Sequence, residues 1–192
     1  MSNLAIDRLF AEFPVLHTPR LRLRALGEED ASDLLTIFGD DAVTAHYDLE
    51  TFVSLEEAYE LIDYMLDSYA SERQARWAVE RTADRRMIGT CGFVWLRPHS
   101  AEIGYDLARA CWGAGYMREA LQALLHYAFT KLDLNRVEAL VLPANIRSQR
   151  LLSGLGFINE GVLREYDYFK GAFHDMQMHA LLRRDFKPTP SP

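Results

Sequence analysis

Residues 101–120 read AEIGYDLARACWGAGYMREA, and the parsing of this stretch decides the fold. The residues from Ala101 to Ala108 predict a strand, on which period-two alternation puts Glu102, Gly104 and Asp106 on one side and Ile103, Tyr105 and Leu107 on the other. A turn holding Gly113 and Gly115 follows. From Met117 onward apolar residues fall at 117, 120, 121, 124, 125, 128, 129 and 132, the spacing of an amphipathic helix. Backbone N–H groups at such a helix start have no intrahelical partner, and the helix dipole favours negative charge there. Glycine lets an anion approach that backbone closely, which makes a diphosphate the natural guest. Taken alone, Gly-Ala-Gly is also compatible with a plain tight turn. A dinucleotide fingerprint is excluded, because its third glycine is Arg118 here and the next strand ends Leu142-Pro143-Ala144, without an acid. A P-loop is excluded because no Gly-Lys-Ser/Thr triplet occurs.

Outward from this segment, residues 136–142 (RVEALVL) predict a strand, so a parallel pair with the helix as its crossover. Asn145 then caps a short helix ending at Gly154 or Gly156. FINEGVLREYDYF, Lys170-Gly171 and AFHDMQMHALL predict a long hairpin. Upstream, RLRLRAL (20–26) alternates as a strand and EEDASDLLTIF predicts a helix stopped by Gly39. Ser54-Leu-Glu-Glu57 reads as a capping box for a helix through Leu55–Tyr69, and residues 40–53 between these helices read as a loop. Runs 75–81 and 86–96 predict two strands around the turn Thr82–Arg85. The expected fold is α+β: one mixed, mostly antiparallel sheet of about seven strands, helices on both faces, one parallel pair. A single domain is expected over 1–186, with 1–19 as an N-terminal arm and 187–192 as a disordered tail.

The composition suits a globular chain: 192 residues, 49% apolar and 26% charged, with a net charge of −7. No run of about 18 apolar residues suggests a membrane span, and the acidic charge without a Lys/Arg block argues against nucleic acid. The charge suits an amine or a basic protein. Cys91 and Cys111 are too few for a disulfide framework, and the N-terminus lacks a basic start. A cytoplasmic protein is therefore expected. The six histidines show no metal spacing, so no metal is expected.

Ala110-Cys-Trp-Gly113-Ala-Gly115 resembles the pyrophosphate loop of the GNAT family of acetyl-CoA-dependent N-acetyltransferases, Gln/Arg-x-x-Gly-x-Gly/Ala. Both glycines match and the first position departs. AEIGYDL…WGAGYMREA, Asn145-Ile-Arg-Ser148 and Gly154-Leu-Gly156-Phe157 are similar to its ribosomal-protein N-terminal acetyltransferase (Rim-type) branch. TPRLRLRAL and FHDMQMHALLRRDF also fit, so the resemblance spans about residues 14–186.

The resemblance implies that acetyl-CoA lays its pantetheine arm along the strand at 101–108, against backbone groups near Leu107 and Ala108. It puts the diphosphate on the amides of Trp112, Gly113, Ala114, Gly115 and Tyr116, and a side-chain contact on Asn145. Arg150, with Arg109 and Arg118, is the expected partner of the 3′-phosphate. Glu102 matches the family's strand base, and Ser148 the serine that assists thiolate departure in the ribosomal branch. The tyrosine that many members use for that step falls on Leu152, which leaves Tyr166 and Tyr168 as outside candidates. His46 and Tyr47 are expected to border the acceptor groove, with Trp95 and His174 as further lining. The function implied is acetyl transfer to a primary amine, a protein N-terminal α-amine first of all. Acetylation of a polyamine or aminoglycoside, and a non-catalytic acyl-CoA-binding module, stay open. The C-terminal hairpin offers strands for a homodimer.

Overall fold

A computed structural model describes residues 4–187; residues 188–192 of the expected tail lie outside the described residues. The elements in chain order are α1 (Leu4–Ala11), β1 (Leu16–His17), β2 (Leu21–Arg24), α2 (Ala31–Phe38), α3 (Asp41–Thr44), α4 (Leu55–Ala70), β3 (Ala75–Arg81), β4 (Arg86–Arg97), β5 (Ser100–Leu107), α5 (Tyr116–Thr130), β6 (Arg136–Val141), α6 (Ile146–Gly154), β7 (Ile158–Phe169) and β8 (Ala172–Leu182). Local chemistry sets several boundaries. Ser54 and Glu57 close their capping box on α4, and Asn145 Oδ1 accepts from Ser148 N to start α6. Lys170 (φ 49°) and Gly171 (φ 76°) supply the two left-handed residues of a two-residue hairpin turn between β7 and β8. Two short elements differ from expectation. The arm contains β1, which makes the sheet eight-stranded rather than about seven-stranded, and the loop at 40–53 contains α3, capped by Asp40. Neither is long enough to show a period in sequence.

The strand order is β1-β2-β3-β4-β5-β6-β8-β7. All neighbours are antiparallel except β5 and β6. On one face α1, α5 and α6 pack on Trp77, Phe93, Ile103 and Val137, and the buried stripe of α5 (Met117, Ala120, Leu121, Leu124, Leu125, Ala128, Phe129) follows the predicted spacing. On the other face α2 and α4 bury Leu34, Ile37, Phe38, Ile62 and Met65 against Ala78 and Met87. Fully buried Trp77 donates its indole N–H to Pro14 O (2.7 Å), so its one polar atom is satisfied. Among the described residues no helix is long and apolar enough to cross a membrane.

Two features position the site. First, β5 and β6 pair only through Ser100↔Arg136, Ala101↔Val137 and Glu102↔Glu138. Beyond that point β5 stays with β4 as far as Gly89↔Leu107, while β6 stays with β8 as far as Val141↔Gln177. The strands therefore part and leave a cleft. A bulge in β4 between Phe93 and Trp95 lies opposite the residue where the pairing stops, and bulges bend a strand and raise its twist. Second, a buried polar cluster lies under β5. Arg76 donates to Thr90 Oγ1 (2.8 Å), Asp106 Oδ2 (2.8 Å) and Tyr47 Oη (2.7 Å), and Thr90 donates through N and Oγ1 to Asp106. The cluster ties three strands to the segment carrying Tyr47.

Removing one member of a buried ion pair leaves the other charge uncompensated, at a cost of about 3–5 kcal/mol. Asp106→Ala is expected to lose stability on that scale in urea unfolding. The double change Arg76→Met with Asp106→Leu is expected to lose markedly less; equal losses would show that the pair is not the source of the effect.

Candidate active site

The cleft is built on backbone. Ala108 N donates to Ile88 O (2.8 Å), so the even-numbered residues of β5 turn their groups to β4. Tyr105 and Leu107 turn theirs to the side that β6 has left. Ala108, expected beside Leu107 as a backbone contact, has its N–H committed to Ile88 and its carbonyl accepting from Cys111 N. The Leu107 carbonyl accepts the Trp112 indole N–H (2.8 Å). Below this edge, α5 starts with Gly113 (φ +77°) and Gly115 (φ +81°) left-handed and with no side chain capping it. A Cβ on Gly113 would meet nothing within 4 Å, so the loop faces open space. Arg20 braces it from behind: Nη1 donates to Ala114 O (2.9 Å) and Nε to Glu119 Oε2 (2.6 Å). The amides of Gly113–Met117 are thus presented to a cavity of about 340 Å³, lined by apolar Leu107, Met117 and Leu151 and by Trp112, Arg118 and Arg147. Free amides at a helix N-terminus beside cationic side chains suit a diphosphate, and the apolar walls suit an extended arm.

A second cavity, of about 390 Å³, opens on the far side of β5. Glu102 and Asp167 contribute carboxylates to it, and Leu61, Met65, Phe169 and Met176 contribute apolar wall. Glu102 Oε2 accepts from Trp95 Nε1 (2.8 Å). Burial pushes its carboxyl above the ordinary range. The Trp95 bond opposes that rise and the charges of Glu138 and Asp167 add to it. His46, Tyr47, Tyr105, Asn145 and Ser148 line both cavities. This junction is where a group held in one cavity meets a group held in the other.

The structure thus brings together Glu102, Ser148, Asn145, His46, Tyr47 and the Trp112–Tyr116 loop. It does not bring in every expected residue. Arg150 is exposed on α6 outside both linings, while Arg147, four residues before Leu151, takes the cleft side and lays its guanidinium 3.6 Å from the Trp112 ring centroid. Arg109 lies outside both linings and pairs with Asp40 (3.6 Å), whereas Arg118 stays in the first cavity's wall while donating to Gly154 O. Trp95 is outside the lining and meets it only through its bond to Glu102, and His174 stacks on Phe169 away from the lining. Tyr166 and Tyr168 are exposed on β7, and Leu152 is fully buried. Sequence reasoning missed Tyr105, whose hydroxyl lies 2.6 Å from Ser148 Oγ, together with Arg147 and Arg76. The signal for Tyr105 was its alternation opposite Glu102, which reads equally as core packing.

A family model described as an acetyltransferase (GNAT) domain matches residues 20–158. The N-acetyltransferase p20 of Bacillus licheniformis, itself uncharacterized, is 41% identical over 174 residues, covering 89% of this chain and 97% of the relative. The Escherichia coli alanine N-acetyltransferase for ribosomal protein uS5 is 34% identical over 108 residues, or 55% of this chain and 56% of that enzyme. Among solved structures, Mycobacterium smegmatis RimJ in complex with CoA-disulfide matches with a TM-score of 0.76 at 25% identity, covering 88% of this chain and 86% of that one.

Because the Glu102 carboxyl is raised in the folded state, the native protein holds this proton to higher pH than the unfolded chain does. Stability is therefore lost as pH climbs from the ordinary carboxylate value through the raised one. Glu102→Gln removes that penalty. Its thermal midpoint is expected to exceed the parent's at pH 8, with the gap closing near pH 4. A gap that does not change with pH would contradict the assignment.

Proposed function

The chain belongs to the acetyltransferase (GNAT) family, and on that premise we propose that its acceptor is a protein N-terminal α-amine. It is an acetyl-CoA-dependent N-acetyltransferase. The residues present suit the cosubstrate. The amides from Gly113 to Met117 receive the diphosphate, with Arg147 and Arg118 beside them and Arg150 as the more distant cation; the Trp112 amide, expected among them, is instead spent on Arg109 O (3.1 Å). The free backbone of Tyr105 and the Leu107 N–H receive the amide-bearing arm, with Asn145 donating from its side-chain amide; the Leu107 carbonyl is held by the Trp112 indole. When bound, acetyl-CoA supplies the activated acetyl thioester. Glu102 takes the amine proton, directly or through one water, and its raised carboxyl is better matched to that task than an ordinary glutamate. His46 and Tyr47 wall the acceptor at the junction.

The observation that carries this reading is that Glu102, on the last paired residue of β5, is the groove carboxylate that burial raises, which makes it a modest base. An α-amine with pKa near 7.8 costs about 1 kcal/mol to deprotonate at pH 7, whereas a lysine-like amine near 10.4 costs about 4.6. Glu102 suffices for the first. The net charge of −7 adds a preference for a basic protein as the bearer of that terminus.

The test is thiol release from acetyl-CoA with a panel: a basic peptide with a free N-terminus, the same peptide blocked at its terminus but carrying lysine, spermidine, and an aminoglycoside. The free peptide is expected to lead in kcat/KM by at least about tenfold, the factor corresponding to about 1.4 kcal/mol. A lead by spermidine or the aminoglycoside overturns the acceptor assignment. Glu102→Gln is expected to lower kcat by about 10²-fold, on the scale of general-base catalysis, with CoA affinity within about twofold of the parent. Collapse of CoA affinity instead would mark Glu102 as structural.

A further inference from the structure

Tyr105 and Ser148 meet at the junction of the two cavities, their hydroxyl oxygens 2.6 Å apart. The direction of this bond follows from the unequal acidity of the two hydroxyls. Burial pushes the Tyr105 phenol up to about 12, so it stays protonated at working pH. Among the described residues its hydroxyl has Ser148 as its hydrogen-bond partner. The phenol is the stronger acid of the two hydroxyls and its ring-conjugated oxygen the poorer acceptor, so Tyr105 donates and Ser148 accepts. That leaves the Ser148 proton as the hydrogen free to turn into the cleft. Asn145 Oδ1 holds the Ser148 backbone N–H at 3.1 Å, so the serine is fixed from both sides. The α6 position where the family resemblance looks for a tyrosine donor holds fully buried Leu152, so that route is closed.

We propose that Tyr105 is a positioning residue that commits the Ser148 hydroxyl to donate a hydrogen bond to the sulfur of the departing thiolate. This rests on the acetyl-transfer reading of the same site. In that reaction the amine lone pair forms the C–N bond, the C–S bond breaks, and its electron pair stays on sulfur. The amine proton leaves toward Glu102. Ser148 keeps its own proton while hydrogen-bonding the thiolate, and the thiolate is protonated by water after release. A phenol donating into a hydroxyl also polarises that hydroxyl, which strengthens its outgoing bond.

The experiment compares Tyr105→Phe, Ser148→Ala and the double variant with the preferred amine of the panel. Each single change is expected to lower kcat by about 10–100-fold, at or below the loss of one transition-state hydrogen-bond donor, with KM for acetyl-CoA within about twofold. The double variant is expected to fall little below the worse single one, because the two hydroxyls act as one unit. A second measurement replaces Tyr105 with 3,5-difluorotyrosine, which keeps the shape and makes the phenol more acidic. The alkaline limb of kcat is expected to move to lower pH, a change that packing alone does not produce. An unaltered profile, a Tyr105→Phe rate within twofold of the parent, or losses that multiply in the double variant each overturn the inference. Parent enzyme that releases thiol with no amine sinks the acetyl-transfer reading and the inference with it. Parent turnover matched by Tyr105→Phe sinks the inference alone.

Discussion

Parallel pairing between β5 and β6 ends at Glu102↔Glu138, and the rest of the site depends on that ending. Had the ladder continued, the backbone groups of Tyr105 and Leu107 would be spent on β6 and the sheet would be closed where a ligand must enter. Because it stops, a strand edge is open inside the protein rather than at its rim. The crossover through α5 then returns the chain so that the uncapped amides of Gly113–Met117 lie at one end of that opening. Glu102 sits at the other end, on the last paired residue, where the strand is still held rigidly by both neighbours.

Such an opening weakens the sheet, and the structure compensates beneath it. Arg76, Thr90 and Asp106 connect β3, β4 and β5 across the bulged region, and Arg76 also reaches Tyr47. Buried ion pairs give little net stability but are costly to break. This one acts as a specific tie: it holds β5 on β4 while β6 departs, and it fixes the Tyr47 wall of the second cavity. The hairpin of β7 and β8 closes the other wall through Asp167, Phe169 and Met176, and Lys170 Nζ, in its turn, donates to Thr44 O (2.7 Å).

Long periodic elements and turn chemistry were legible in the sequence. The stripe of α5, the Ser54–Glu57 box, Asn145 as a cap and the Lys170-Gly171 turn all carry local signals that tertiary contacts did not override. Leu16–His17 and Asp41–Thr44 were not legible, since two or four residues show no period. Within the site, the strand–turn–helix pattern made the glycine loop legible, whereas Glu102 and Ser148 were indicated by the family resemblance. Which arginine faces the cleft was a matter of helix phase, and Arg147 prevails over Arg150 because it shares the face of Leu151. The Ala108 amide was lost to Ile88 because β4 extends alongside β5 to its end, a register the sequence does not encode locally. Tyr105 looked like core because it alternates with Ile103. Only the packing of α6 against β5 reveals that its hydroxyl is shared with Ser148.

If the parted strands and the start of α5 form one continuous receptor for coenzyme A, a crystal structure of the enzyme with CoA will show diphosphate oxygens within hydrogen-bonding distance of amides between Gly113 and Met117, with the pantetheine arm paired to Tyr105 and Leu107 and the sulfur end beside Ser148. A diphosphate bound elsewhere, or an arm that leaves the β5 edge unpaired, would contradict it.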